Sequence, residues 1–177
     1  MDVRLLAGDR SDPGVAMTAL KTILFFILVP FLCIGMVPLY LVMTERPLFS
    51  FGAFRWVALL FWLFGWMVLI WCCRDFIVWG HGTPNPLDPP RELVVKGLYR
   101  VARNPMYIGA TAVLVGWVFW SPSLPILLMP VICFTASYLF VVFYEEPHLR
   151  KTFGGVYDAY CQSVPRWLPP VDKKPAP

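Results

Sequence analysis

Histidine occurs only at positions 81 and 148 of the 177 residues, and neither has a second His or Cys at ligand spacing. A zinc or other metal site is therefore not expected. The five cysteines are just as scattered: Cys33, Cys72, Cys73 and Cys133 sit in apolar runs and Cys161 in the tail. Their spacing implies neither a disulfide framework nor a metal knuckle, and they read as small buried apolar residues. No Gly-x-Gly-x-x-Gly turn follows a strand, which argues against a soluble dinucleotide-binding fold. Charged residues make up 15% of the chain and the net charge is +4. Membrane topology accounts for that charge, so nucleic-acid binding is disfavoured. The start and the end of the sequence carry no lipidation signal.

Apolar residues are abundant, at 58%, with 16% aromatics and a mean hydropathy of +0.64. So much apolar surface exceeds what a water-soluble core of this size can hide, and a bilayer is the natural solvent. The expected fold is all-α: a polytopic integral membrane protein of about four transmembrane helices, with a cytoplasmic loop and a C-terminal amphipathic helix at one end. Against the roughly 20 residues needed to cross, the spans are read as 22–43, 56–79, 106–120 and 124–144. The second carries Arg74-Asp75 near its end, where they can snorkel or pair. The third is short, and Ser121-Pro122-Ser123 turns it into the fourth as a helical hairpin. Residues 1–18 are read as a poorly ordered tail and 19–177 as one membrane domain. With four crossings, every Lys and Arg except Arg46 and Arg55 falls on the side of both termini, which makes that side cytoplasmic.

The cytoplasmic loop, 80–105, carries Pro84, Pro86, Pro89 and Pro90 and ends in Arg100-Val101-Ala102-Arg103-Asn104-Pro105. Asn104 fits an N-cap and Pro105 the first helical position, so the third helix aims unpaired amides at the water boundary, flanked by two arginines. The fourth apolar run ends on Tyr144-Glu145-Glu146-Pro147 at the same boundary. Two acids at a helix C-terminus oppose the macrodipole and call for a cation or several donors. One solution is a new helix starting at Pro147, with Glu146 paired to Arg150. The other is a ligand, such as an ammonium or a ribose diol. Beyond Pro147, the residues Leu149, Phe153, Val156, Tyr157 and Tyr160 are expected on one face of an interfacial helix in the C-terminal segment 145–177, with Gly154-Gly155 giving a kink or a close contact. Phe119 is expected to face lipid.

Leu93-Val94-Val95-Lys96-Gly97-Leu98-Tyr99-Arg100, Arg103-Asn104-Pro105-Met106-Tyr107-Ile108-Gly109 and Glu145-Glu146, followed by Leu149, Phe153-Gly154, Tyr157, Tyr160 and Val164-Pro165-Arg166, resemble the C-terminal signature of the isoprenylcysteine carboxyl methyltransferase family. The phospholipid N-methyltransferases share the Asn-Pro-Met-Tyr and Tyr-Glu-Glu-Pro elements. The likeness runs from Thr83 to Pro170, and the ordered combination is more specific than any one piece. It implies a membrane methyltransferase that binds S-adenosylmethionine on the cytoplasmic side and methylates a lipophilic or amphiphilic acceptor. Carried over by position, Val95, Lys96, Gly97, Leu98 and Tyr99 would give backbone contacts, and Arg103, Asn104, Pro105 and Tyr107 the cofactor cradle. Glu145 or Glu146 would be a polar anchor, Tyr157 and Tyr160 would close the site, and Glu146 and Arg166 are the candidate catalytic residues. Asn104 stands where isoprenylcysteine enzymes typically have His, which counts against assigning a prenylated-protein substrate in particular. Two alternatives stay open: an NADPH-dependent reductase of the sterol-reductase type, and a non-catalytic membrane scaffold. Oligomeric state and the identity of the acceptor are not legible.

Overall fold

The computed structural model describes residues 31–80 and 93–168. The tail 1–18, the beginning of the first expected span, most of the proline-rich loop and residues 169–177 lie outside them. All regular structure among the described residues is helical. A π-turn over Phe31–Met36 leads into α1, Val37–Thr44. A 3₁₀ turn, Gly52–Trp56, opens α2, Val57–Asp75, which runs on as a π-segment, Phe76–Gly80. A single 3₁₀ turn, Gly97–Arg100, precedes α3, Pro105–Trp120. Then come α4, Leu124–Phe140, a π-segment Val141–Glu145, α5, Glu146–Phe153, and α6, Gly155–Ser163.

Two stretches are long and apolar enough to cross a bilayer, Gly52–Asp75 with 24 residues and Leu124–Phe153 with 30. Phe31–Thr44 and Pro105–Trp120 are shorter apolar helices. Apolar side chains cover these helices all round, as lipid-facing helices require: Leu60, Leu63, Ile70, Val131 and Ile132 are all more than 60% exposed.

Helix α2 packs against α3 through small residues. A Cβ added at Gly65 would lie 2.6 Å from the Gly109 carbonyl oxygen, and one at Gly116 2.5 Å from the Trp62 ring. Lipid is as apolar as leucine and gives no hydrophobic drive between helices, so close backbone approach supplies the dispersion contact instead. Ile34, Leu69, Val113 and Leu114 form the buried centre. The Trp117 indole donates to the Ile34 carbonyl at 2.9 Å, and Leu48 N–H donates to the Pro122 carbonyl at 2.9 Å, tying the first helical segment and its following loop to the α3–α4 hairpin.

Three local expectations change. The helix bearing the paired acids does not stop at them but continues to Phe153. Pro147 has no N–H to give its preceding turn, and the chain meets that with the widened π-segment just before it. Gly154, with φ of +54°, then breaks the helix. That break rotates α6 relative to α5, so Val156 is 67% exposed while Tyr157 and Tyr160 are buried with Val164. Leu149 and Phe153 pack against those tyrosines, but Val156 does not share their face. Phe119 is half-buried rather than turned to lipid: its ring stacks on Phe61 at 5.4 Å and contacts Phe51 at 5.2 Å.

Candidate cofactor site at the polar end of the bundle

Helices α2, α3 and α4 alternate in direction, which brings the end of α2, the start of α3 and the end of α4 to one end of the bundle. The turn before α3 and the acids after α4 meet there. Glu146 is 5% exposed and both its oxygens are engaged. Oε1 accepts from Arg166 Nε at 2.7 Å and lies 3.0 Å from Arg103 Nη1, and Oε2 accepts from Arg166 Nη2 at 2.9 Å. The two-pronged Arg166 contact matches the carboxylate fork, and a second guanidinium completes the set. This hydrogen bond holds the Arg166 guanidinium above its usual pKa, so the pair stays ionised. The Glu146–Arg150 pair offered as one alternative is absent; Arg150 Nε pairs with Asp158 at 2.9 Å.

The segment that delivers Arg166 is strapped to the start of α3. Arg103 N–H donates to the Pro165 carbonyl at 2.9 Å, and Asn104 Nδ2 donates to the Arg166 carbonyl at 3.1 Å. Asn104 does occupy the N-cap position, but its side chain makes no cap bond; its Nδ2 points to the strap instead. Beyond it, the Trp167 ring lies 5.0 Å from Phe134 and 6.4 Å from Tyr107, wedged between α3 and α4.

A cavity of about 920 Å³, counting its open mouth, lies beneath this lattice. Of the residues expected at the site, it is lined by Tyr99, Arg103, Asn104, Tyr107, Glu145, Glu146, Tyr157 and Tyr160. Glu145 accepts from the Tyr107 hydroxyl at 3.0 Å, and no cation among the described residues pairs with it. Tyr157 and Tyr160 are pushed above the ordinary phenol range, chiefly by burial, so both remain protonated. Tyr160 O–H donates to the Tyr99 carbonyl at 2.7 Å, which pins α6 to the 3₁₀ turn. Arg103 Nε is buried without a partner.

Val95, Lys96, Gly97, Leu98, Pro105 and Arg166 are not on the cavity wall. The Lys96 ammonium sits 3.5 Å from the centre of the Trp79 ring. Gly97 has φ of +57°, and a Cβ there would run into the buried Asp75 carboxylate, so its contribution is backbone shape. Pro105 starts α3, and Arg166 clamps Glu146. The cavity also takes in residues whose role sequence reasoning missed: Phe76, Met106, Phe140, Tyr144 and His148. Tyr144, Glu145 and His148 share one helical face at three- and four-residue spacing, a signal that was present in the sequence. Among the described residues no group of three or more His, Cys, Asp or Glu could hold a metal.

A helical bundle with two bilayer-length helices, and at one end a cavity lined by aromatic and charged side chains, has the build of a membrane protein. The pattern of the phospholipid methyltransferase family matches residues 53–155, more than half of the chain, and the chain belongs to that family. It is similar to a phosphatidylethanolamine N-methyltransferase of Botryotinia fuckeliana (strain B05.10), with 32% identity over 90 residues. That likeness covers 49% of this chain and 9% of the relative, so the chain spans under a tenth of that protein's length. No solved structure matches the chain. Tyr157, Tyr160 and Arg166 lie past the family match; the structure puts the two tyrosines on the cavity wall and Arg166 on Glu146.

Proposed function

We propose that this chain is a membrane methyltransferase that uses S-adenosylmethionine and acts on the amine headgroup of a phospholipid, with four spans and both termini in the cytoplasm. The observation that carries the reading is the division of labour between the two acids. Glu146 is committed to both arginines, which leaves Glu145 as the carboxylate on the cavity wall that pairs with no cation among the described residues.

The wall suits the cofactor's functional groups. Glu145 would take its ammonium or ribose hydroxyls, Arg103 Nε its carboxylate, and the tyrosine rings its flat base and its sulfonium charge. When bound, the cofactor supplies an electrophilic methyl group whose transfer is an in-line displacement that discharges the sulfonium. The protein's share is then alignment and exclusion of water, rather than a catalytic triad. Tyr107 fixes the Glu145 carboxylate, and the Arg166–Glu146–Arg103 clamp holds the walls together. Membership in the phospholipid methyltransferase family and the similarity to a phosphatidylethanolamine N-methyltransferase favour an amine-bearing lipid over the other acceptors. An NADPH-dependent reductase is less well supported, because the family match and the similar relative are both methyltransferases.

The test is equilibrium binding of labelled S-adenosylmethionine to the detergent-purified chain, together with transfer of the labelled methyl group to phosphatidylethanolamine vesicles. Competition by S-adenosylhomocysteine and not by NADPH, with label in the lipid, is expected. Binding of NADPH alone points to a reductase, and binding of neither points to a scaffold.

A further inference from the structure

Resting on the amine-acceptor reading, we propose that His148 is the catalytic base that takes a proton from the acceptor's ammonium group. An ammonium nitrogen has no free electron pair, so an amine lipid cannot attack a methyl group until it loses a proton. The cavity must therefore hold a proton acceptor.

The candidates on the wall differ in what they are already doing. Glu146 has both oxygens committed to two guanidiniums. Glu145 is bridged by the Tyr107 hydroxyl and is the carboxylate suited to anchoring a cation. The Tyr160 hydroxyl donates to a backbone carbonyl, and Tyr157 is held by Arg103 at 3.4 Å. Arg103 is a cation. His148 lines the same cavity, one turn beyond Glu145, and its ring lies parallel to Tyr144, with 6.1 Å between centres and 2° between planes. Its Nε2 is buried and has no hydrogen-bond partner. Buried polar atoms in folded proteins nearly always have one, so this nitrogen is placed for a partner that arrives with the substrate.

Chemistry separates the imidazole from the carboxylates. General bases work best when their ordinary proton affinity is near the working pH, and imidazole is the side chain for which that holds. In the step itself the ammonium N–H bond breaks, its electron pair stays on nitrogen, and the proton goes to Nε2 to give an imidazolium. The freed pair forms the new N–C bond while the electrons of the old S–C bond remain with sulfur. The imidazolium then passes its proton to water at the cytoplasmic mouth.

The test uses the full chain in lipid nanodiscs with ¹⁵N-labelled histidine. The chain has two histidines, so its imidazole spectrum is short, and His81→Gln assigns it. With S-adenosylhomocysteine present, the His148 Nε2 resonance is expected to move when phosphatidylethanolamine replaces phosphatidylcholine, whose quaternary nitrogen has no proton to give. His148→Gln is expected to lower kcat for phosphatidylethanolamine by about 100-fold, the scale of general-base catalysis, with S-adenosylhomocysteine affinity unchanged within threefold. An active wild type whose His148 signal is the same in both lipids, or a folded His148→Gln variant with kcat within threefold of wild type, overturns the role of His148 alone. A wild type that binds no S-adenosylhomocysteine, or methylates no amine lipid, overturns the proposed function and this role with it. If His148→Gln does not fold, the wild-type resonance decides.

Discussion

The two ends of the helical bundle are built from different chemistry. At one end Trp56, Trp62, Trp117 and Trp120 crowd together at centroid distances of 4.7 to 5.6 Å, and the Arg55 guanidinium lies about 5 Å from the rings of Trp56 and Trp120. At the other end Arg103 and Arg166 form a charged lattice around the buried Glu146 carboxylate, over a cavity rimmed by tyrosines. Tryptophan and one stacked arginine suit a headgroup boundary that only needs anchoring. An ion triad built on a buried carboxylate is a poor way to gain stability, because desolvation offsets much of the attraction. Its presence at one end only marks that end as the place where geometry matters more than stability.

Substitutions at the two ends can break or sharpen that contrast. The largest effect is expected from Glu146→Ala, which leaves two guanidiniums facing each other. Removing one member of a buried pair costs about 3–5 kcal/mol, so thermal unfolding in detergent should fall sharply and folded yield with it. An unchanged midpoint would mean that the triad is not closed in the membrane. Next is Glu145→Gln, which keeps the shape but removes the charge. S-adenosylmethionine affinity should drop by about 10- to 100-fold, as expected for a charged hydrogen bond of about 1.5–3 kcal/mol, with little change in melting. Loss of fold without specific loss of binding would reverse the roles assigned to the two acids. Tyr107→Phe removes only the hydroxyl that orients Glu145 and should weaken binding about 3- to 10-fold. The smallest effect belongs to the other end: Arg55→Ala should cost about 0.5–1 kcal/mol of stability and leave cofactor affinity untouched. A measurable change in affinity would show that the ends are coupled.

Much of this was legible in the sequence because charge in an apolar chain is conspicuous. Arginines just before one apolar run and acids just after the next must share a water boundary when the helices between them are antiparallel, and Arg103 and Glu146 meet in that way. Which cation takes Glu146 was not legible. Helical spacing favoured Arg150, but the choice of Arg166 depends on the left-handed break at Gly154, which turns α6 back and brings residues 164–166 under α3. The same break hid the true face of α6 and put Val156 on the wrong side. Asn104 had the right position for a cap, yet its amide found a partner 62 residues away, a tertiary choice that local preference does not encode. His148 was weighed only as a metal ligand, and its place beside Glu145 emerges from the helix continuing through the acids.

The strap at 164–167 also fixes the order in which the protein can be made. The start of α3 finds its backbone partner, and Glu146 its forked guanidinium, only after another sixty-odd or twenty residues have been synthesised. During translation the acids and Arg103 therefore wait, unpaired, for the strap, and the pocket closes last. A chain halted at Ser163 would reach the bilayer with its helices in place and no finished pocket.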